Sequence, residues 1–380
     1  MKLTKLSLIA ALAVSSAFAG GDIAPVEPAV EAPAAEACNA NTTINGKATA
    51  YYWTFDGYGY DLFDKEQSQL GAAVTLDVSH KITDNVSANF TAVGYTNVFD
   101  GNADLFESWG ADPKQTGAYF NVANITATYG DTTFVLGRQL LDTPMISGFD
   151  WLLAPGSFEA YTVVNKSISN LSLVGSYIRQ YRGNNTGNDF ADLDGDNWAV
   201  GASYSDAFDA SIWYYNVDAA GYTEIYADAG AEFSGIKLAA QIVSTDWDGM
   251  DDSMVYGIKA SGSLSGFDLM AAYVKVEDSP AGFVDNDALY TSMWNSLGSL
   301  EVGDAFKVEA ATEYNGLAIS AAYVYFDNSE YDYEGHEFDL VLGYGITDCI
   351  SVDAIYSNTD AYISGFEESN ALELIATYKF

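Results

Sequence analysis

The chain has 380 residues with 53 acidic and 15 basic side chains, a formal charge of −38 and a mean hydropathy of zero. So acidic a surface repels nucleic acid, offers no polybasic segment to anionic headgroups, and attracts cations. After the first twenty residues no run approaches the ~20 continuous apolar residues of a membrane helix, which excludes helical spans.

In chain order, Lys2 and Lys5 precede an apolar run from Leu6 to Val14 and the small-residue site Ala17-Phe18-Ala19. This is the layout of a secretory leader over residues 1–19, giving a mature chain from Gly20. Loss of the two leader lysines takes the formal charge from −38 to −40. No cysteine stands where a lipoprotein is acylated. Residues 20–44 include DIAPVEPAVEAPAAEA, a Pro/Ala/Glu composition that buries too little surface to fold, so they read as a flexible periplasmic linker.

From residue 45 to 380 one pattern repeats: about ten alternating residues, a tight turn, a second alternating run, then a longer polar loop. Short turns fall at 81–85, 129–131, 165–170, 206–208, 234–235, 265–266, 315–316 and 347–349. Long connections fall near 57–68, 99–115, 140–156, 181–195, 217–221, 246–252, 277–304, 327–336 and 358–368. Eighteen strands result, with sixteen as the alternative count because alternation breaks between Tyr119 and Tyr129. The 27 tyrosines suit rings placed at two membrane interfaces. The fold class expected is all-β, a transmembrane antiparallel β-barrel over residues 45–380.

Parity then sorts the faces. Leu70, Val74, Leu76, Trp198, Val200, Ile236, Leu238, Ile242, Leu317, Ile319, Tyr323, Phe338, Leu340 and Leu342 face lipid. Asp77, Glu159, Glu224, Asp228, Glu232, Glu309, Glu313, Glu337, Asp339, Asp353 and Glu373 face the lumen, with Lys237, Lys259, Lys307 and Lys379. Acids dominate, which a water-filled pore tolerates and a packed soluble core does not.

The third long loop opens Gly137-Arg138-Gln139-Leu140-Leu141-Asp142-Thr143-Pro144 and runs through Gly148, Asp150 and Trp151 to Pro155-Gly156. Over residues 135 to 156 the chain resembles the OprD-like porins, including the major outer-membrane porins of epsilonproteobacteria. That resemblance implies a loop folded into the barrel to narrow it. Prolines stiffen its shoulders, glycines permit reversals, and Ile146, Phe149 and Trp151 supply packing groups. Asp142 and Asp150 would then stand in the constriction, with Arg138 at the loop base and Glu159 beside it. The alternative is an external loop capped by a turn at Asp142-Thr143-Pro144. The family's ladder of basic residues is missing: the only arginines are Arg138, Arg179 and Arg182. Passive, cation-favouring diffusion of ions and small hydrophilic solutes therefore fits better than specific carboxylate uptake.

His80 and His336 are the only histidines and fall at opposite membrane faces, so a two-histidine catalytic site is excluded and no enzyme activity is expected. Asp192, Asp194 and Asp196 have a spacing that can wrap Ca²⁺, without the later glutamate of an EF-hand; solvated loop acids are the alternative. Asp246, Asp248, Asp251 and Asp252 offer a similar cluster, and either could bridge lipopolysaccharide phosphates through a divalent ion. Cys38 and Cys349 face the same oxidising compartment and either pair or remain thiols.

The last nine residues put Leu372, Leu374, Ala376, Tyr378 and Phe380 on one side. They resemble the closing strand of bacterial outer-membrane proteins, which the barrel assembly machinery reads, with an edge strand of a secreted sandwich as the alternative. The reading is an outer-membrane porin in contact with lipid and lipopolysaccharide, with a homotrimer as the usual state of general porins. A substrate-specific uptake channel and a barrel-anchored adhesin are the other two readings.

Overall fold

The computed structural model describes residues 41–380 apart from 57–58, 101–115, 149–152, 154, 184–188, 286, 295–301, 329–332 and 361–367. Twenty strands are present among the described residues: β1 Thr42–Phe55, β2 Ser68–Lys81, β3 Val86–Asp100, β4 Thr116–Tyr129, β5 Thr132–Gln139, β6 Ile146–Ser147, β7 Ser157–Ile168, β8 Leu171–Arg182, β9 Ala191–Ser205 and β10 Asp209–Val217. They continue with β11 Tyr222–Phe233, β12 Ile236–Trp247, β13 Ser253–Leu264, β14 Phe267–Glu277, β15 Val284–Asp285, β16 Gly303–Tyr314, β17 Leu317–Asn328, β18 Tyr333–Gly345, β19 Ile350–Asp360 and β20 Ser369–Lys379.

Eighteen of these form one closed antiparallel barrel in which each strand bonds its chain neighbours and β20 returns to β1 from Lys47↔Lys379 to Phe55↔Ala371. Closure leaves no unpaired edge, as a strand-built wall in hydrocarbon requires. The remaining two, β6 and β15, pair with each other in parallel.

All eight short turns join strands at one end of the barrel, and nine longer connections lie at the other. Three of the turns, Ser234-Gly235, Ser265-Gly266 and Asn315-Gly316, hold both residues at positive φ. That is the type I′ geometry whose twist matches flanking strands, and glycine at the second position adopts it without strain. The broken alternation in β4 is a bulge: Thr91 faces Val122 while Ala92 faces Phe120, leaving Asn121 without a partner in β3. Eighteen strands, not sixteen, is the result.

Outward side chains are the large apolar ones, among them Val74, Val200, Leu238 and Ile258. Their inward neighbours are buried or polar. At the seam, Phe380 and Gly46 exchange both backbone hydrogen bonds at 2.8 and 2.9 Å. The Phe380 ring lies over Gly46 so closely that a Cβ there would sit 2.4 Å from a ring carbon. Tyr378 and Phe380 are both about half exposed on the outer wall, their rings 5.8 Å apart. No helix among the described residues is long and apolar enough to cross a membrane; the strands are what would cross.

Candidate functional site

Two loops from the long-loop end turn back into the barrel. The third, 140–156, makes a small hairpin of its own. Asp142 and Ser147 form an antiparallel bridge, and the Thr143 hydroxyl donates to the Ile146 carbonyl at 2.7 Å while accepting from the Ile146 N–H at 3.0 Å. Pro144 between them cannot extend a strand, so the chain reverses there. The loop reaches both sides of the lumen. Leu141, Met145 and Ile146 are buried with Trp213, Tyr215, Tyr226 and Val243, whereas Leu153 packs with Tyr51, Trp53, Val93 and Tyr95. The Met145 N–H donates to the Tyr215 hydroxyl at 3.3 Å. Gly148 passes so close to the Gly156 carbonyl that a Cβ there would lie 2.3 Å from the oxygen.

Asp142 is open to water yet surrounded by protein. This partial desolvation holds its carboxyl above the usual carboxylate range, with the Ser147 hydroxyl acting in the opposite sense. Asp150, Phe149 and Trp151 lie outside the described residues.

The seventh long loop, 278–302, also crosses the lumen, and the sequence pattern alone treats it as an ordinary external connection. Its anchors are wall side chains. Glu224 of β11 accepts from the Thr245 hydroxyl at 2.6 Å and from the Gly282 N–H at 3.0 Å. Gln241 of β12 accepts from the Tyr290 N–H at 2.8 Å and donates to the Ala288 carbonyl at 3.1 Å. Lys259 of β13 lies 4.1 Å from the Tyr290 ring centre, and Lys307 of β16 donates to the Ser292 carbonyl at 2.8 Å. On the opposite wall Asp339 of β18 accepts from the Trp294 N–H at 3.1 Å, and Glu373 of β20 from its indole N–H at 2.9 Å. Inside the loop Asp287 accepts from Leu289 N–H and the Ser292 hydroxyl; burial still pushes its carboxyl up. The two loops meet where Val284–Asp285 pairs in parallel with Ile146–Ser147, beside the Asp142–Ser147 bridge, so the hairpin and the seventh loop, a strap across the lumen, are joined within it.

Several expectations change. Glu224, Asp339, Glu373, Lys259 and Lys307 point inward but are at most 6 % exposed and anchor the seventh loop instead of lining water; Glu337, also inward, is buried against Asp339. The physical reason is that a buried ionised group persists only with donors, acceptors or partner charges, and the incoming backbone supplies them. Asp353, also inward, is 7 % exposed. Asp77, Asp228, Glu232, Lys237, Glu309 and Glu313 face inward nearer the short turns; all are at least partly accessible. Lys237 is ion-paired with Asp209, Asp77 accepts from Thr91, and Glu309 lies 3.4 Å from Lys307.

Arg138 and Glu159 are not in a constriction. They are paired at 3.9 Å on the outward face, sharing parity with Phe134, Leu136, Tyr161 and Val163. Alternation along β7 is unbroken, with Phe158, Ala160 and Val164 turned inward into the apolar cluster that beds the third loop, so Glu159 falls on the outer face with Tyr161; the nearby bulge lies in β8, where Arg179 is the extra residue. Asp192, Asp194 and Asp196 lie within β9, not in a loop, and are engaged separately: Asp192 by Gln180 at 2.6 Å and Asp196 by the Tyr177 hydroxyl at 3.1 Å. No group of three potential metal ligands exists among the described residues. Cys349 is exposed in the turn between β18 and β19, while Cys38 lies outside the described residues. Arg182, which the sequence pattern did not single out, points inward with its guanidinium 3.5 Å from the Tyr119 ring centre. One sequence signal pointed to the seventh loop: a connection this long with its own aromatic residues exceeds the usual ~12–15 residue ceiling for a plain loop.

A closed eighteen-stranded barrel with an apolar outer wall and inward-folded loops is a transmembrane β-barrel architecture. No family model matches the sequence, and no curated protein sequence matches it. Among solved structures the fold is that of the OccK/OprD outer-membrane channels. Pseudomonas aeruginosa OccK8 (OprE) is similar at 14% identity and a TM-score of 0.75, over 89% of this chain and 98% of that one. Acinetobacter baumannii OccAB2 is similar at 14% identity and 0.77, over 90% and 98%. Pseudomonas aeruginosa OccK3 (OpdO) is similar at 16% identity and 0.74, over 89% and 95%. At these identities the likeness is one of fold.

Proposed function

We propose that the chain is an outer-membrane porin through which ions and small hydrophilic solutes diffuse, with a preference for cations. The observation that carries the preference is the charge of the lumen below the two loops. Asp77, Asp209, Asp228, Glu232, Asp268, Glu309 and Glu313 are at least partly accessible there, against Lys47, Lys237 and Lys379. Low-dielectric walls focus that field along the axis, so a permeating ion meets it whatever its path. Asp142 adds a carboxylate at the inward loops themselves.

The test is the reversal potential of the purified protein in planar bilayers under a salt gradient. The expected sign is that of cation permeation, weakening as salt shortens the Debye length below ~8 Å. An anion-selective reversal overturns the preference and leaves the porin reading intact; a barrel that never conducts overturns both. A second reading, substrate-specific uptake, is favoured by the two loops that cross the lumen, since a crossed lumen supplies a binding surface that an open pore lacks. Saturable block of conductance by a solute at low concentration would identify it.

A further inference from the structure

The seventh loop is fastened to the far wall at Trp294, and both N–H groups of that residue go to acids. The backbone N–H donates to Asp339 of β18 at 3.1 Å and the indole N–H to Glu373 of β20 at 2.9 Å, while the ring packs against the cluster that holds Tyr51 and Trp53. A third acid completes the group. Glu337 lies two positions before Asp339 on β18, hence on the same inward face, and the two side chains are hydrogen-bonded to each other. An ionised carboxylate only accepts, so two carboxyls share a hydrogen bond only while one of them keeps a proton and donates it. Glu337, Asp339 and Glu373 are all buried, which leaves no bulk water to take the place of that proton.

The surroundings do not neutralise the group. Ser357 of β19 stands opposite Asp339 in the ladder, and Tyr51 of β1 lies beside Glu373. Both hydroxyls are buried and stop short of hydrogen-bond geometry, and Asp339 Oδ1 and Glu373 Oε2 are likewise buried without a donor at that geometry. β17 turns Ser320, Val324 and Phe326 inward, none of them charged. Among the described residues the cation within electrostatic reach of Asp339 is Lys307 of β16, which is divided between Glu309 at 3.4 Å and the Ser292 carbonyl at 2.8 Å. Asp353, nearer the short turns on β19, is matched by Lys379 of β20, and Asp287 of the loop itself is turned to Leu289 and Ser292. Three carboxyls and one divided lysine leave the pocket short of positive charge. The proton between Glu337 and Asp339 supplies it.

We propose that Trp294 is the latch of the seventh loop and that the proton shared by Glu337 and Asp339 keeps it shut: release of that proton to solvent on raising the pH sets the two carboxylates against each other and frees this end of the loop. Two like charges a hydrogen bond apart in a site closed to water do not both persist, so losing the proton admits water and separates them. The pair titrates as one unit, and the shut state binds one proton more than the open one, so the equilibrium moves toward open as the pH rises. Glu373 adds a third negative charge beside the pair and strengthens the same trend. That an unlatched loop changes the current rests on the porin reading above.

The experiment uses the full chain in detergent and follows backbone hydrogen exchange of residues 288–294 by mass spectrometry from mildly acid to mildly alkaline pH. Glu337→Gln puts an amide N–H where the proton was and should keep the loop shut throughout. Wild-type exchange, taken relative to that variant at the same pH, should rise by up to about tenfold per pH unit, the linkage of one proton. Asp339→Asn supplies the same N–H from the other side and serves if the first variant fails to assemble. Trp294→Phe removes the indole donor and should loosen the loop at every pH. Exchange that is the same in the wild type and in Glu337→Gln at every pH overturns the proposal, as does a loop that responds to added Ca²⁺ at fixed pH and not to pH itself. Single-channel recording in about 1 M salt, where a Debye length near 3 Å screens the other lumen acids, should show the current rising over the same pH range. A conducting channel whose loop exchange ignores pH defeats this inference alone; a barrel that never conducts defeats the porin reading, and the exchange measurement still decides the latch.

Discussion

The third and seventh loops share the lumen and touch each other, yet they are held by different physics. The third is largely self-supporting, closed by Thr143 and the Asp142–Ser147 bridge and bedded on apolar side chains, with wall bonds only from Tyr215 to Met145 and Thr143 and from the Asn121 amide to the Pro155 carbonyl among the described residues. The seventh has little internal structure and is tied down at both ends by wall residues, Glu224 and Gln241 on one side and Asp339 and Glu373 on the other. The contrast teaches that inward acids in this barrel serve two purposes. Those at loop height hold backbone in place, while those nearer the short turns remain open to ions.

The largest effect should come from untying the seventh loop. Glu224→Ala with Glu373→Ala removes bonds worth about 1.5–3 kcal/mol each and leaves the Gly282 N–H and the Trp294 indole without acceptors. Single-channel conductance should rise and become noisier. Conductance identical to the wild type would mean that the strap is held by apolar packing alone. The coupling of the two loops is tested by Ile146→Cys with Val284→Cys, which places thiols on facing residues of the parallel pair. A disulfide should form without reduction of conductance. Failure to oxidise would show two loops that do not stay in contact.

A smaller effect is expected at Asp142. Its carboxyl lies above the usual range, so on acidification it is neutralised earlier than exposed acids such as Asp218, which the Asp196 N–H and the Asn216 amide hold below that range. Cation preference, read as reversal potential, should therefore begin to fall at a higher pH than the exposed acids alone would give, and Asp142→Asn should abolish this early step. Asp192→Asn with Asp194→Asn, on β9, should leave it in place. The smallest effect is that of Tyr215→Phe, which deletes neutral hydrogen bonds to the Met145 N–H and the Thr143 side chain, each worth about 0.5–1.5 kcal/mol. It should increase open-channel noise without altering mean conductance; a collapse of the third loop would show that the bonds outweigh the apolar bedding.

Much of the barrel is legible in the chain itself. Alternation has a period of two, turns such as Asn315-Gly316 need positive φ, and lipid leaves apolar groups outside, so strand number, turn positions and the faces of Val74 or Leu238 follow from local rules. Parity is interrupted where a bulge intervenes, as at Asn121 in β4 and Arg179 in β8, and it is assigned to the wrong face at Glu159, where the inward side of β7 is apolar because the third loop packs on Phe158 and Ala160. The third loop was legible through Pro144 and Gly148, whose constraints are local. The seventh was not, because Gly282 meets Glu224 fifty-eight positions away and Trp294 meets Glu373 seventy-nine positions away. Sequence thus determined that this protein is an acidic barrel with a polar interior. Only the closed tertiary structure decided which of those acids are open to ions and which are buried beneath a loop, since burial depends on what the far side of the barrel brings across the lumen.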